Sequence, residues 1–319
     1  MNRRRLFQAG VLVVGLAGLA VAVAGTVDDA RDQVMPDPGA LAVAAGFSLA
    51  AILTSGRAWV ALFHDVLHDR GHRIRFESNY YLSQLTKYLP AGGAVQAASQ
   101  VSLAASGGVP LGRVALAFPV SAIASVAAGA TLGAGLVLAS ELPGWARALA
   151  LVGLAAPALL HRRFLAAVLT AVRRFVPRIP APDQLPNQQS ILTFYAWALV
   201  SIGCTAAAYA VLLHALDGEP SPAVVLCASA MSWTIGFLAI PLPAGIGVRE
   251  AMLVAVLPGV GAAPLLAASL SHRLLAIGAE LAAAFGSKLL GRGSRRLEPA
   301  RPGDERSPTG RVTEAGPLR

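Results

Sequence analysis

Charge is what this sequence has least of: 13% of its 319 residues are Asp, Glu, Lys or Arg, while 55% are hydrophobic. An ordinary soluble domain carries roughly 25% charged residues. No polar stretch between the apolar runs is long enough to bury a core of its own, which excludes a soluble catalytic domain. Any activity is left to membrane-embedded parts. Cysteine is nearly absent as well. Cys204 and Cys227 both fall inside apolar runs, where they read as small buried hydrophobes and not as a disulfide framework. Also missing are a Walker loop, a Gly-x-Ser-x-Gly elbow, cysteine pairs at zinc spacing and His-Glu-x-x-His. No cofactor, no resident metal and no enzymatic activity are therefore expected. His64, His68 and His72 stand four apart with Asp65 and Asp69 between them. Such a stripe drifts by about 40° per step on a helix, and Gly71 interrupts it, so a solvated loop is the better reading.

Apolar length is what the chain has instead. Long runs recur at Leu6–Gly25, Gly39–Phe63, Val114–Ser140, Gly144–Leu160, Ser190–Leu216, Pro222–Ile240 and Ala262–Leu290, most of them near the ~20 residues a helix needs to cross a bilayer. The net charge of +9 suggests nucleic acid until it is located. Its arginines flank the spans, as membrane orientation requires, and no nucleic-acid partner is expected.

Loop charge then sets the topology. Arg3–Arg5, His64–Arg75, His161–Arg178 and the tail after Lys288 are rich in arginine and belong in the cytoplasm, whereas the acidic Thr26–Gly39 and Asp217–Pro220 belong outside. The first run follows three arginines like a signal peptide, but its length favours a retained helix. Both termini inside require an even number of crossings. The expected fold is an all-α integral membrane protein of about eight spans, with 246–260 as the eighth and a re-entrant broken-helix segment at 79–105. Residues 1–290 form this polytopic domain, and 291–319 form a disordered cytoplasmic tail. In His161–Arg178, Phe164, Leu165, Val168, Leu169 and Val172 recur at helical spacing, as in a helix lying along the membrane surface.

Two phrases carry the functional signal. "LPAGGAVQAA" (Leu89–Ala98) and "LPAGIGVREA" (Leu242–Ala251) agree at six of ten positions, which points to an internal pseudo-repeat, expected here to be parallel. Proline removes a helical donor, and glycine loosens the backbone. Each phrase should therefore break a helix, and broken backbone at membrane depth is tolerated only beside protein or a water-filled cavity. The helix beginning after each break offers free amides to a phosphate or carboxylate, and paired interruptions of this kind point to a transporter's binding site. Lys87, Arg249 and Glu250 accompany the breaks, each costing about 2.5–3.5 kcal/mol at a helix centre. Arg273 and Glu280 share a helix face seven residues apart and, with Arg57, form a candidate charge network. Glu280 is paired here with Arg249 or Arg273, and Lys87 with Glu250; Arg57 is equally read as snorkelling. A purely structural ion-pair network is the competing reading. Gln84 and Gln96, with Asn79, Ser83, Ser99 and Gln100, would line a polar path.

At Tyr80–Pro110 and Ile240–Leu257 the sequence resembles the flippase-like membrane family typified by the transmembrane region of lysylphosphatidylglycerol synthases. Its motifs map onto Gln84, Leu85, Lys87, Tyr88 and Pro90, then onto Pro243, Gly245, Gly247, Arg249 and Glu250. Thr86 and Ala91 depart from the usual glycines, although Gly92 and Gly93 follow. The resemblance implies movement of lipids between leaflets, and since this sequence carries no soluble aminoacyl-transfer domain, movement without lipid synthesis. Polyprenyl or other lipid-linked head groups are further substrates of relatives.

The expected binding set is Lys87, Pro90, Gly92, Gly93, Gln84, Gln96, Pro243, Gly245, Gly247, Arg249 and Glu250. Its expected ligand is a membrane lipid with an anionic or zwitterionic head group, in the cytoplasmic membrane. A second copy or an envelope-biosynthesis protein would be a further partner. Competing readings are a membrane transferase with Glu250 or Glu280 as base, and a non-transporting envelope scaffold.

Overall fold

A computed structural model describes residues 36–67, 70–88, 92–105, 108–138, 144–175, 179–216, 220–238, 247–257 and 259–296. The expected first span at 6–25, the break residues Pro90, Pro243 and Gly245, and the tail from 297 lie outside them. Every regular element among the described residues is helical: α1 (Pro38–Ala61), α2 (Arg70–Gln84, tightening to a 3₁₀ turn over Leu85–Tyr88), α3 (Gly92–Ala105), α4 (Leu111–Gly133), α5 (Gly144–Ala155), α6 (Arg162–Arg173), α7 (Gln188–His214), α8 (Pro222–Leu238), α9 (Val248–Val256) and α10 (Ala262–Arg296). This is an all-α integral membrane protein.

Local chemistry sets the helix starts. Asp37 accepts from the amides of Gly39 and Ala40 with Pro38 at the first helical position, and Asn187 accepts from Ser190 N at 2.7 Å. Both caps satisfy amides that would otherwise have no partner. Among the described residues four stretches are long and apolar enough to cross a membrane, α1, Leu111–Leu136, α7 and Ala262–Leu289, with a fifth if the bent pair Leu151–Leu160 and Arg162–Arg173 counts as one span. At Leu160 the chain turns by 80° into α6, which buries Leu165 and leaves Phe164, Val168 and Val172 exposed. That apolar face, flanked by Arg162, Arg163, Arg173 and Arg174, suits a membrane surface.

Small residues bring the helices together. α1 packs on α7 through Ala51, Ala58, Ala198 and Ser201, and the Ser201 hydroxyl donates to the Ala51 carbonyl at 2.8 Å. Close backbone approach and interhelical hydrogen bonds replace the hydrophobic drive that lipid cannot supply. Ala44 shares a core with Ala208 and Leu212, and Trp59 shares one with Ile191 and Phe194. The two helices therefore run antiparallel.

The repeat suspected from the two phrases extends through the whole fold. Leu89 and Leu242 lie 153 positions apart. The same offset carries Ala61, the end of α1, onto His214, the end of α7, and Arg70 and Leu111, the starts of α2 and α4, into the first turns of α8 and α10. Packing follows the same exchange. α4 packs on α7 and α8, as α10 does on α1 and α2. Gly133 sits against Met231; one offset from Met231, Ser78 meets α10 at Ser287, the residue after Gly286, whose hydroxyl donates to it at 3.1 Å. Because the equivalent helices α1 and α7 are antiparallel, the repeat is inverted, not parallel as expected.

Three further expectations change. The eighth crossing at 246–260 contains only the nine-residue α9, about 13 Å long against a ~30 Å hydrocarbon core, and too short to cross. α10 continues to Arg296, beyond the expected tail boundary at 290. The segment carrying the first phrase begins earlier than 79, at Arg70. Within it α3 runs back along α2, as Gln96–Gln84 (2.8 Å) and Asn79–Leu103 O (3.1 Å) show.

Candidate functional site

Each broken segment sends one charge to α10, Lys87 beside the first phrase and Glu250 within the second. At the end of the α2 extension the Lys87 ammonium ion-pairs with Glu280 Oε1, and its Nζ lies 5.2 Å from the centre of the Tyr88 ring. Glu280 is 5% exposed, and its second oxygen is buried without a hydrogen-bond partner. At the start of α9, Gly247 takes a left-handed φ of 82°, which only glycine adopts at little cost. Glu250, one turn on, accepts from the Gly247 amide at 2.8 Å with one oxygen and from Arg273 at 2.7 Å with the other. One carboxylate thus caps the broken helix and ties it to α10.

Arg249 is held differently. Its guanidinium lies 5.9 Å from the Trp233 ring centre, and its carbonyl accepts from the Ser232 hydroxyl at 2.8 Å. Its side chain crosses α8 at Gly236, where a built Cβ would stand 2.4 Å from the arginine Cγ. Among the described residues no carboxylate pairs with this guanidinium, and its Nε is buried without a partner. Tyr88 and His272 stand within electrostatic reach of Arg249 and Arg273. Three cations against two carboxylates leave a net positive site at a helix start, an arrangement that attracts an anion.

Gly236→Leu tests how Arg249 is aimed. The leucine would displace the guanidinium without touching a charge. The expected result is a several-fold loss of ligand binding with a melting temperature within a few degrees of wild type, read by binding and thermal unfolding in detergent.

The expected pairings are corrected by exchange. Glu280 receives Lys87 and not an arginine, and Glu250 receives Arg273 and not Lys87, because adjacent residues on a helix point about 100° apart and each seeks a different neighbour. Arg57 stays out of the expected network with Arg273 and Glu280. It pairs with Glu77 at 3.2 Å with its side chain 65% exposed. Gln84 and Gln96 bond to each other across the first break. Gly92 and Gly93 form the first turn of α3. Asn79 is buried and spent on the Leu103 carbonyl, which ties α2 to α3, whereas Ser83 donates back to Tyr80 O within its own helix. No group of three metal-ligating side chains assembles among the described residues.

Sequence reading missed Trp233, Gly236 and His272. Nothing in an apolar helix marks a glycine as the seat of an arginine from another helix.

Ionised side chains gathered where two broken helices meet a long apolar one define a class: multi-pass membrane proteins with a polar site at depth. The chain belongs to the family described as the lysylphosphatidylglycerol synthase TM region, whose model matches residues 7–283. It is thus a membrane protein related to lipid-modifying or lipid-handling proteins. No individually curated protein matches it.

Proposed function

We propose that this protein moves a lipid across the cytoplasmic membrane, its phosphate-bearing head group passing through the polar site while its acyl or polyprenyl chains stay in the bilayer. The single observation that carries this reading is Arg249: a half-buried guanidinium, expensive in a membrane, whose Nε is covered without a partner and with which no carboxylate ion-pairs among the described residues. A structural network would have paired it. A transported phosphate would complete it transiently, with the amide-rich start of α9 beside it. Glu250 and Lys87 then act as positioning residues, and no bond in the lipid is made or broken. Both termini are cytoplasmic, as the arginine-rich loops imply.

Purified protein in liposomes carrying head-group-labelled phospholipid or polyprenyl phosphate provides the test. Exchange between leaflets above protein-free vesicles, with chemically unchanged lipid extracts, is the expected result. Absence of exchange for both lipid types defeats the reading, and a covalently altered lipid would replace it with a transferase.

A further inference from the structure

The inverted repeat has a consequence for access. α1 and α7 are antiparallel, so the hairpins that follow them start on opposite faces. Arg113 ion-pairs with Asp65 at 2.5 Å, placing the start of α4 beside the end of α1. The Tyr209 hydroxyl donates to the Leu265 carbonyl at 3.1 Å, placing the start of α10 beside the end of α7. Each hairpin therefore returns to the face it entered from. α9, too short to cross, follows α8 back: Ser232 and Gly236 lie against Arg249, while Val225 and Ala228 share a core with Leu253 and Val256. Each hairpin is also latched to α10 by one ion pair, Lys87–Glu280 for α2–α3 and Glu250–Arg273 for α8–α9. At the corresponding positions of α4, one offset away, stand Val120 and Ala127. The latches are therefore gathered on a single helix.

We propose that the two hairpins are opposed gates over one site: α2–α3 controls access from the face bearing His64, and α8–α9 controls access from the face bearing Pro222. Opening one Glu–cation latch at a time admits a head group from one leaflet while the other hairpin stays closed, as in inverted-repeat transporters with a central site. The gating rests on the proposed function for its cargo, but not for its geometry.

Thiol labelling in sealed vesicles of either orientation tests the geometry directly. With Cys204 and Cys227 replaced by serine, Leu238→Cys near the α8–α9 tip should resist a bulky maleimide from the His64 face. Labelling from that face, as eight full crossings would require, overturns the inference.

Two locks then test the gates. Ser78→Cys with Ser287→Cys would bind α2 to α10. Gly135→Cys would face native Cys227, whose Cβ lies 3.8 Å from the built position, a separation typical of disulfides, and would bind α8 to the 3₁₀ turn Ala134–Leu138 that follows α4. His272→Cys, with Tyr88→Cys as a second reporter, reads access of a small charged thiol reagent to the site. The α2 lock should lower the labelling rate from the His64 face at least tenfold and spare the Pro222 face. The α8 lock should do the reverse, and reductant should restore both. Locks that act on the same face, or on neither, overturn the proposal. Locks that behave as stated in a protein that moves no lipid would defeat the proposed function alone.

Discussion

Arg249→Ala is expected to slow lipid movement by at least tenfold while leaving the fold intact. Hydrogen bonds to a charged group contribute about 1.5–3 kcal/mol, so losing the phosphate contact should slow exchange by roughly 10- to 150-fold. Stability should hardly change, because the guanidinium has no carboxylate to leave behind among the described residues and its removal relieves a desolvation cost. Arg249→Lys should recover only part of the rate, since an ammonium keeps the charge but loses the planar fork and its stacking on Trp233. Leaflet exchange in liposomes, set beside thermal unfolding in detergent, separates these outcomes. Wild-type exchange by the alanine variant would remove Arg249 from the mechanism.

Glu280→Ala carries the largest expected cost in stability. It would strand Lys87 at depth without its carboxylate, and breaking one side of a buried pair typically costs about 3–5 kcal/mol. Replacing both partners, Lys87→Met with Glu280→Leu, should restore most of that loss, because neither charge then needs desolvation. The double variant should nevertheless remain slow in exchange if the pair is a latch. Denaturant unfolding of the single and double variants gives the coupling. Equal destabilisation of the single and the double variant would show that the pair is solvated and contributes little.

The class of protein was legible from composition alone. So were the helices α1, α4, α7 and α10, because a bilayer demands long apolar stretches and internally satisfied backbone. The two breaks were legible as paired Pro/Gly interruptions, and the buried charges as exceptions in an apolar sequence. The ion pairing was not. Lys87 and Glu280 are separated by most of the chain, and no local rule tells a lysine which of two glutamates its helix will face. The sense of the repeat was misread for a related reason. Charge counting read 222–240 and 246–260 as two full crossings, although the helix in the second is nine residues long, and this set the second phrase at the same face as the first.

By itself, then, the sequence determined the solvent of this protein, the places where its helices must break and the few charges worth placing there, since each follows from local composition and the cost of leaving water. Tertiary structure alone decided which charge meets which and that Arg249 is left without a carboxylate among the described residues. It also decided that the two repeats face opposite ways, because these depend on how small residues let distant helices approach, a property of packing between segments and not of any one of them.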